Sequence, residues 1–203
     1  MTPQKRAFDL VTVFVMLLWL GPILLVVLLV MLFTTGRPLF YPSERMKTPD
    51  KAFTLWKLRT MTVNTGAETG VSGGDKNSRI TPFGRFLRRT RADELPQLYN
   101  ILRGDISFVG PRPPLREYVE RFPECYGKVL KSRPGVTGLA SLRYHRTEER
   151  LLATCTTPEE TDRVYTTRCV PRKAELDLIY QRNQSLCFDL KLIGQTFSRV
   201  IPK

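Results

Sequence analysis

The stretch from Leu10 to Phe33 carries no charged residue, and that feature limits what the chain can fold into more than any other. At about 1.5 Å per helical residue it is long enough to cross a hydrocarbon core roughly 30 Å thick. A cleaved signal peptide shares the basic Lys5-Arg6 start. The apolar run is too long for one, however, and no small-x-small cleavage site follows it. A plain spanning helix fits the length. A re-entrant membrane helix fits two further details. Gly21-Pro22 sits at the middle of the run, and Pro22 lacks an N–H and crowds the preceding turn, at a cost of about 3 kcal/mol in a helix interior. That pair permits a bend, although spanning helices also tolerate proline. Lys5 and Arg6 precede the run, while Arg37, Arg45 and Lys47 follow it, so both flanks favour the cytosol under the positive-inside rule. We read residues 1–36 as a re-entrant membrane helix bent at Gly21 and Pro22, and residues 37–203 as one cytosolic domain.

The chain of 203 residues has a formal net charge of +13, which calls for a polyanionic neighbour: anionic lipid head groups, a phosphorylated substrate or nucleic acid. Nucleic-acid binding would need a reading helix or an aromatic-basic sheet motif, and neither is present. Cys125, Cys155, Cys169 and Cys187 form no C-x-x-C pair, and His145 is the one histidine. A zinc site of the usual Cys/His kind is therefore excluded from the reading, and the cysteines read as reduced thiols in small apolar spaces. His145, with no nucleophile motif beside it, reads as a surface or packing residue.

Beyond the apolar run, residues 40–61 read as one or two strands around Phe53 to Leu58. Residues 63–78, rich in Gly, Thr, Asn and Ser, read as a loop. Its Gly73-Gly74 pair is a weak phosphate-loop signal, because no Lys-Ser/Thr tail follows. From Thr81 a basic amphipathic helix is expected, with Phe83, Phe86 and Leu87 on one face. A second helix runs through Leu95 to Leu102 and stops at Gly104. Residues 117–130 are expected to be helical, and 147–152, 158–165, 172–181 and 188–197 follow the same pattern.

The chemistry concentrates in Arg88-Arg89-Thr90-Arg91-Ala92-Asp93-Glu94-Leu95-Pro96-Gln97. Pro96 belongs in a first helical turn, which makes Asp93 the expected N-cap. Proline at the third position removes one capping donor and leaves the Asp93 carboxylate free to face outward. A helix N-terminus and nearby arginines hold that carboxylate ionised and attract phosphate. Asp93 with Glu94 forms a pair of hard oxygen ligands able to hold Mg²⁺ together with substrate phosphates. Pro111-Arg112-Pro113 is a stiff unit that fixes one guanidinium for bidentate phosphate contact.

The stretch from Asp93 to Pro113, DELPQLYNILRGDISFVGPRP, resembles the bacterial sugar transferase family, the small monotopic phosphoglycosyl transferases. So do Trp56-Lys57-Leu58-Arg59-Thr60-Met61, the stretch from Arg79 to Arg88, and Arg133-Pro134-Gly135-Val136-Thr137-Gly138. The resemblance spans nearly the whole chain. It implies an active site on the cytosolic face of the bacterial inner membrane, Mg²⁺, and transfer of a sugar 1-phosphate from a UDP-sugar to undecaprenyl phosphate in two steps. Asp93 matches the family's nucleophile and Glu94 its metal-associated acid. Arg88, Arg112, Pro111, Pro113 and Arg59 fall at positions tied to phosphate and nucleotide contact. Two departures stand out: Leu139-Ala140-Ser141-Leu142 where many members carry Trp-Gln-Val, and Gly21 where some small members carry serine at the bend.

The expected fold class is α/β (α+β): a mainly helical cytosolic domain with short strands, amphipathic interfacial helices and the re-entrant N-terminal helix. The partners implied are polyprenyl phosphate, a UDP-sugar and anionic inner-membrane lipids, without nucleic acid. A phosphohydrolase using the same carboxylates is the rival enzyme. The sequence sets neither the sugar nor whether the chain pairs as a homodimer.

Overall fold

A computed structural model describes residues 1–63 and 78–200, so the expected Gly-rich loop with Gly73-Gly74 lies outside the described residues. Helix α1 (Pro3–Thr34) begins at Thr2, whose side chain accepts from the Lys5 amide, and it continues through Gly21 and Pro22 without stopping. It is the one described helix long and apolar enough to cross a membrane. Its middle is largely uncovered, with Leu18 75% and Trp19 73% exposed. Its two ends are held. Val13 joins a core cluster with Leu55, Leu98, Ile101 and Ile106, whereas Met31 joins Leu58 and Leu87 in another.

The expected strands form an antiparallel hairpin of β1 (Phe40–Thr48) and β2 (Lys51–Leu58). Helix α2 (Pro82–Thr90) follows, capped by Thr81, whose hydroxyl accepts from the Gly84 amide. Leu87 is buried as expected, but Phe86 is exposed. The apolar face of α2 is therefore split between the core and the surface that Arg85 and Arg89 border. Helix α3 (Gln97–Arg103) ends at Gly104 with φ +80°, the left-handed conformation glycine reaches without a Cβ penalty. Its buried Asn100 acts as a substitute strand: the side-chain amide donates to Thr54 O at 2.7 Å and accepts from Trp56 N at 3.1 Å. These bonds pin α3 to the edge of β2.

Strands β3 (Ser107–Val109) and β4 (Gly135–Thr137) pair in parallel. Between them, the single helix expected over 117–130 is instead two, α4 (Arg116–Arg121) and α5 (Pro123–Val129). Pro123 supplies no N–H and drives Phe122 out of the helical region, to φ −129° and ψ 59°. The chain continues as α6 (Leu139–Ala153), α7 (Pro158–Val164), a π-turn over Tyr165–Cys169, α8 (Val170–Arg182) and α9 (Leu186–Val200). A core of Tyr118, Val119, Val129, Leu152, Tyr165 and Cys169 binds α4–α8 together, with Met46 of β1 in it. The result is mainly helical with short strands. The cysteines are all free; Cys155 and Cys169 fill the core as expected, while Cys187 is exposed.

Candidate active site

Three segments build the site: the end of β2, the turn between α2 and α3, and the loop after β3. At the end of β2, Thr60 receives the Arg88 Nε–H at 2.8 Å on its hydroxyl. That contact depends on Gly84, because a Cβ there would collide with the Thr60 carbonyl. Helix α2 thus approaches β2 closely enough for Arg88 to reach across.

The turn differs from the expected helix start. Asp93 is not an N-cap but the middle residue of a 3₁₀ turn over Ala92–Glu94. Arg91 precedes it in the left-handed conformation with φ 59°, and α3 starts only after Pro96. The proline is where a first turn accepts it, while the tighter turn separates the acid pair from the α-helix. Asp93 is not outward-facing either. It is 8% exposed, and its Oδ1 is buried without a hydrogen-bond partner. Burial, then the neighbouring Glu94 charge, raises its pKa above the ordinary aspartate value, while Lys57, Arg88 and Arg91 pull the other way. The arginines therefore offset the desolvation of Asp93 only in part.

Glu94 is the opposite case. Burial alone would raise it, but Arg112, Lys57 and Arg91 together take it down to about 2. Its Oε1 accepts from Lys57 Nζ at 3.2 Å and from Arg112 at 3.2 Å. Two adjacent carboxyls thus have pKa values driven apart by environment, an arrangement that recurs where two acids take different roles.

The Arg112 loop owes its position to glycine backbone crossings. The Gly110 amide donates to Thr137 O at 2.9 Å, and the Gly135 amide to Pro111 O at 2.8 Å. A Cβ on Gly110 would strike the Arg133 carbonyl, and one on Gly138 the Gly110 carbonyl. The 110–113 and 133–138 motifs, separate in sequence, are one interlocked unit. Pro111 and Pro113 are buried in it, and Arg112 projects toward Glu94.

Arg59 lies elsewhere. Its guanidinium donates to the carbonyls of Thr35 at 2.6 Å and Gly36 at 2.8 Å. The end of α1 leaves carbonyls without partners inside the helix, and the Arg59 guanidinium supplies donors there. Three cations not singled out as site residues lie near the site: Lys57, Arg91 and Arg45. Lys57 was legible as part of Trp56-Lys57-Leu58. Arg91 carries a left-handed backbone that nothing in its residue type announces. Arg45, on β1, is lowered to about 10 by burial and then by the like charge of Arg112. His145 is half-exposed, consistent with a surface or packing role, and its Nε2 lies 2.7 Å from the Arg91 guanidinium; burial followed by the Arg91 charge lowers its pKa.

Lys57, Arg88, Arg91 and Arg112 therefore act on the two carboxylates, with Arg45 beside Arg112, an excess of positive charge suited to a diphosphate. Among the described residues no group of three or more His, Cys, Asp or Glu could by itself hold a metal. Mg²⁺ is commonly bound by one or two carboxylates with phosphates and water completing the shell. The unbonded Asp93 Oδ1, beside a Glu94 whose two bonds both fall on Oε1, fits that mode.

The chain thus combines an exposed apolar helix with a domain in which cations gather about two adjacent carboxylates. The profile of the bacterial sugar transferase family matches residues 1–203, and the chain belongs to that family. It is 34% identical over 195 residues to the UDP-glucose:undecaprenyl-phosphate glucose-1-phosphate transferase of Klebsiella pneumoniae, covering 95% of this chain and 39% of that protein. The chain thus spans about two fifths of that relative. It is also similar to the uncharacterized sugar transferase EpsL of Bacillus subtilis, at 32% identity over 197 residues (97% of this chain, 87% of the relative). The exopolysaccharide production protein PSS of Rhizobium leguminosarum bv. phaseoli is 36% identical over 200 residues (95% and 92%).

Proposed function

We propose that the protein transfers a sugar 1-phosphate from a UDP-sugar to undecaprenyl phosphate, releasing UMP and giving a polyprenyl diphosphate-sugar. The observation that carries this reading is the Asp93 carboxylate, buried, unbonded at Oδ1 and ringed by cations, in a domain joined to an exposed apolar helix. The substrates named for the Klebsiella relative support the same reaction class.

In the first step an Asp93 oxygen attacks the phosphorus that bears the sugar. An O–P bond forms, the bond to the bridging oxygen breaks, and UMP leaves with that oxygen and its electron pair. Arg88 and Arg112 offset the diphosphate charge that otherwise repels an anionic nucleophile. In the second step a phosphate oxygen of the polyprenyl phosphate attacks the same phosphorus and returns Asp93 as a carboxylate. Asp93 and Glu94 are the residues that would hold Mg²⁺, which when bound neutralises part of the diphosphate charge.

We also propose that α1 is re-entrant. Leu55 and Leu58 are separated by only about 10 Å along a strand, whereas Val13 and Met31 would be about 27 Å apart in a straight helix. Their clusters nonetheless share β2. Such packing favours a change of direction near Gly21-Pro22 and a site at the cytosolic face of the inner membrane.

Incubation with a panel of UDP-sugars and undecaprenyl phosphate tests the reaction. UMP and a lipid-linked sugar are expected, with loss of both in excess EDTA. Free phosphate as the product would indicate a phosphohydrolase, and no turnover with any sugar would contradict the assignment.

A further inference from the structure

The first turns of α1 bear on β3, the strand that leads directly into Gly110-Pro111-Arg112. All three β3 residues are engaged. Asp9 Oδ1 accepts from the Ser107 hydroxyl at 3.0 Å and from the Phe108 amide at 3.3 Å. The Tyr180 hydroxyl lies 3.2 Å from Val109 O and 2.7 Å from Asp189 Oδ1. Lys5 completes the chain, donating to the Tyr180 hydroxyl at 3.2 Å and forming an ion pair with Asp189. Lys5, Asp9, Ser107, Tyr180 and Asp189 are all buried. Polar groups this far from water are costly unless bonded and hold their geometry firmly when they are; Asp9 is held by its Oδ1 alone, its Oδ2 being buried without a partner. Three elements distant in sequence, α1, α8 and α9, thus converge on three consecutive strand residues.

We infer that Lys5, Asp9, Tyr180 and Asp189 are positioning residues for Arg112, so that the catalytic loop is aligned only when the membrane helix is seated on the domain. None of the four reaches the carboxylate pair. They act through β3, whose carboxyl end fixes where Gly110 crosses Thr137 and hence where the Arg112 guanidinium meets Glu94. A small displacement there is consequential, since misplacing a group by about 1 Å can cost on the order of 100-fold in rate. The inference rests on the reaction proposed above for the effect on rate, but not for the effect on the loop.

The test uses the full chain in lipid nanodiscs. Tyr180→Phe deletes one hydroxyl with little change of shape, Asp9→Ala removes the acceptor, and Asp9→Asn keeps one. Hydrogen exchange across residues 107–112 is read first, because it requires no substrate. Tyr180→Phe and Asp9→Ala are expected to speed exchange in that segment at least 10-fold while staying membrane-bound, and Asp9→Asn to restore protection. In UMP release the first two should lose at least 10-fold in kcat with a KM for the lipid acceptor within about twofold of the parent, and Asp9→Asn should recover most of it. Unchanged exchange and unchanged kcat in a folded, membrane-bound Tyr180→Phe protein would overturn the inference. A parent protein that turns over no UDP-sugar would overturn the reaction, and the exchange result would still decide the coupling.

Discussion

Asp93 and Asp177 illustrate two outcomes of burying a carboxyl group. Asp177, on α8, is buried with Oδ1 unbonded, and burial lifts its pKa to about 7 against only a modest opposing pull from Lys173. A pKa raised in the folded state means stability that is present in acid and lost as pH rises through that value. Asp177→Asn should therefore gain stability over the parent progressively between pH 3.8 and about 7, and the gain should level off above. Thermal melts across that range check it, and a constant difference would contradict the account. Asp93 is shifted in the same direction, by burial first and Glu94 second, but Lys57, Arg88 and Arg91 oppose the shift. Asp93→Asn is expected to raise the melting temperature of the metal-free protein at neutral pH, because it removes a buried charge, while abolishing turnover. A stabilised, inactive variant is the signature of a residue kept at the expense of the fold. Melting and UMP release on the same preparation measure both halves.

At the level of elements, the site depends on places where one backbone lies against another. Gly110→Ala puts a methyl group into the Arg133 carbonyl, so the β3–β4 pair must separate or the loop must shift. A loss of about 1–3 kcal/mol is expected from overpacking, with UMP release reduced at least 10-fold. Chemical denaturation and turnover check the two effects, and wild-type values for both would mean the loop tolerates displacement. Much of this architecture was legible in the sequence. The apolar and aromatic residues around Phe53 to Leu58 marked β2, the helical spacing of Phe83, Phe86 and Leu87 after Thr81 marked α2, and Gly104 marked the end of α3. Other features depended on contacts no local pattern carries. The 3₁₀ turn at Asp93 follows from a left-handed Arg91, a residue type that gives no warning of positive φ. Arg59 was tied to phosphate by the family resemblance of the Trp56 to Met61 stretch, and its guanidinium is bonded to carbonyls at the end of α1. Arg45 and His145 reach the site from β1 and α6, and neither belongs to any local motif.

On the scale of the whole molecule, α1, proposed above as the membrane element, also packs into the core of the rest of the chain. Its first turns hold β3, its last turns meet β2 and α2, and Arg59 grips its end. Both ends are thereby tied to one domain, which predicts that both face the cytosol. Cysteines introduced at Thr2 and Thr35 should resist a membrane-impermeant thiol reagent in intact cells and react after permeabilisation. Labelling at Thr2 alone in intact cells would establish a spanning helix. The central claim, that Asp93 becomes covalently loaded, has a more direct measurement. The purified protein is incubated with a UDP-sugar that supports turnover, without any lipid acceptor, and the peptide containing Asp93 is weighed by mass spectrometry. The account predicts about one UMP released per protein in a single burst. It also predicts a mass gain equal to the sugar phosphate on that peptide, with neither signal from Asp93→Asn. UMP released only when lipid acceptor is present, with no adduct on the peptide, would contradict it.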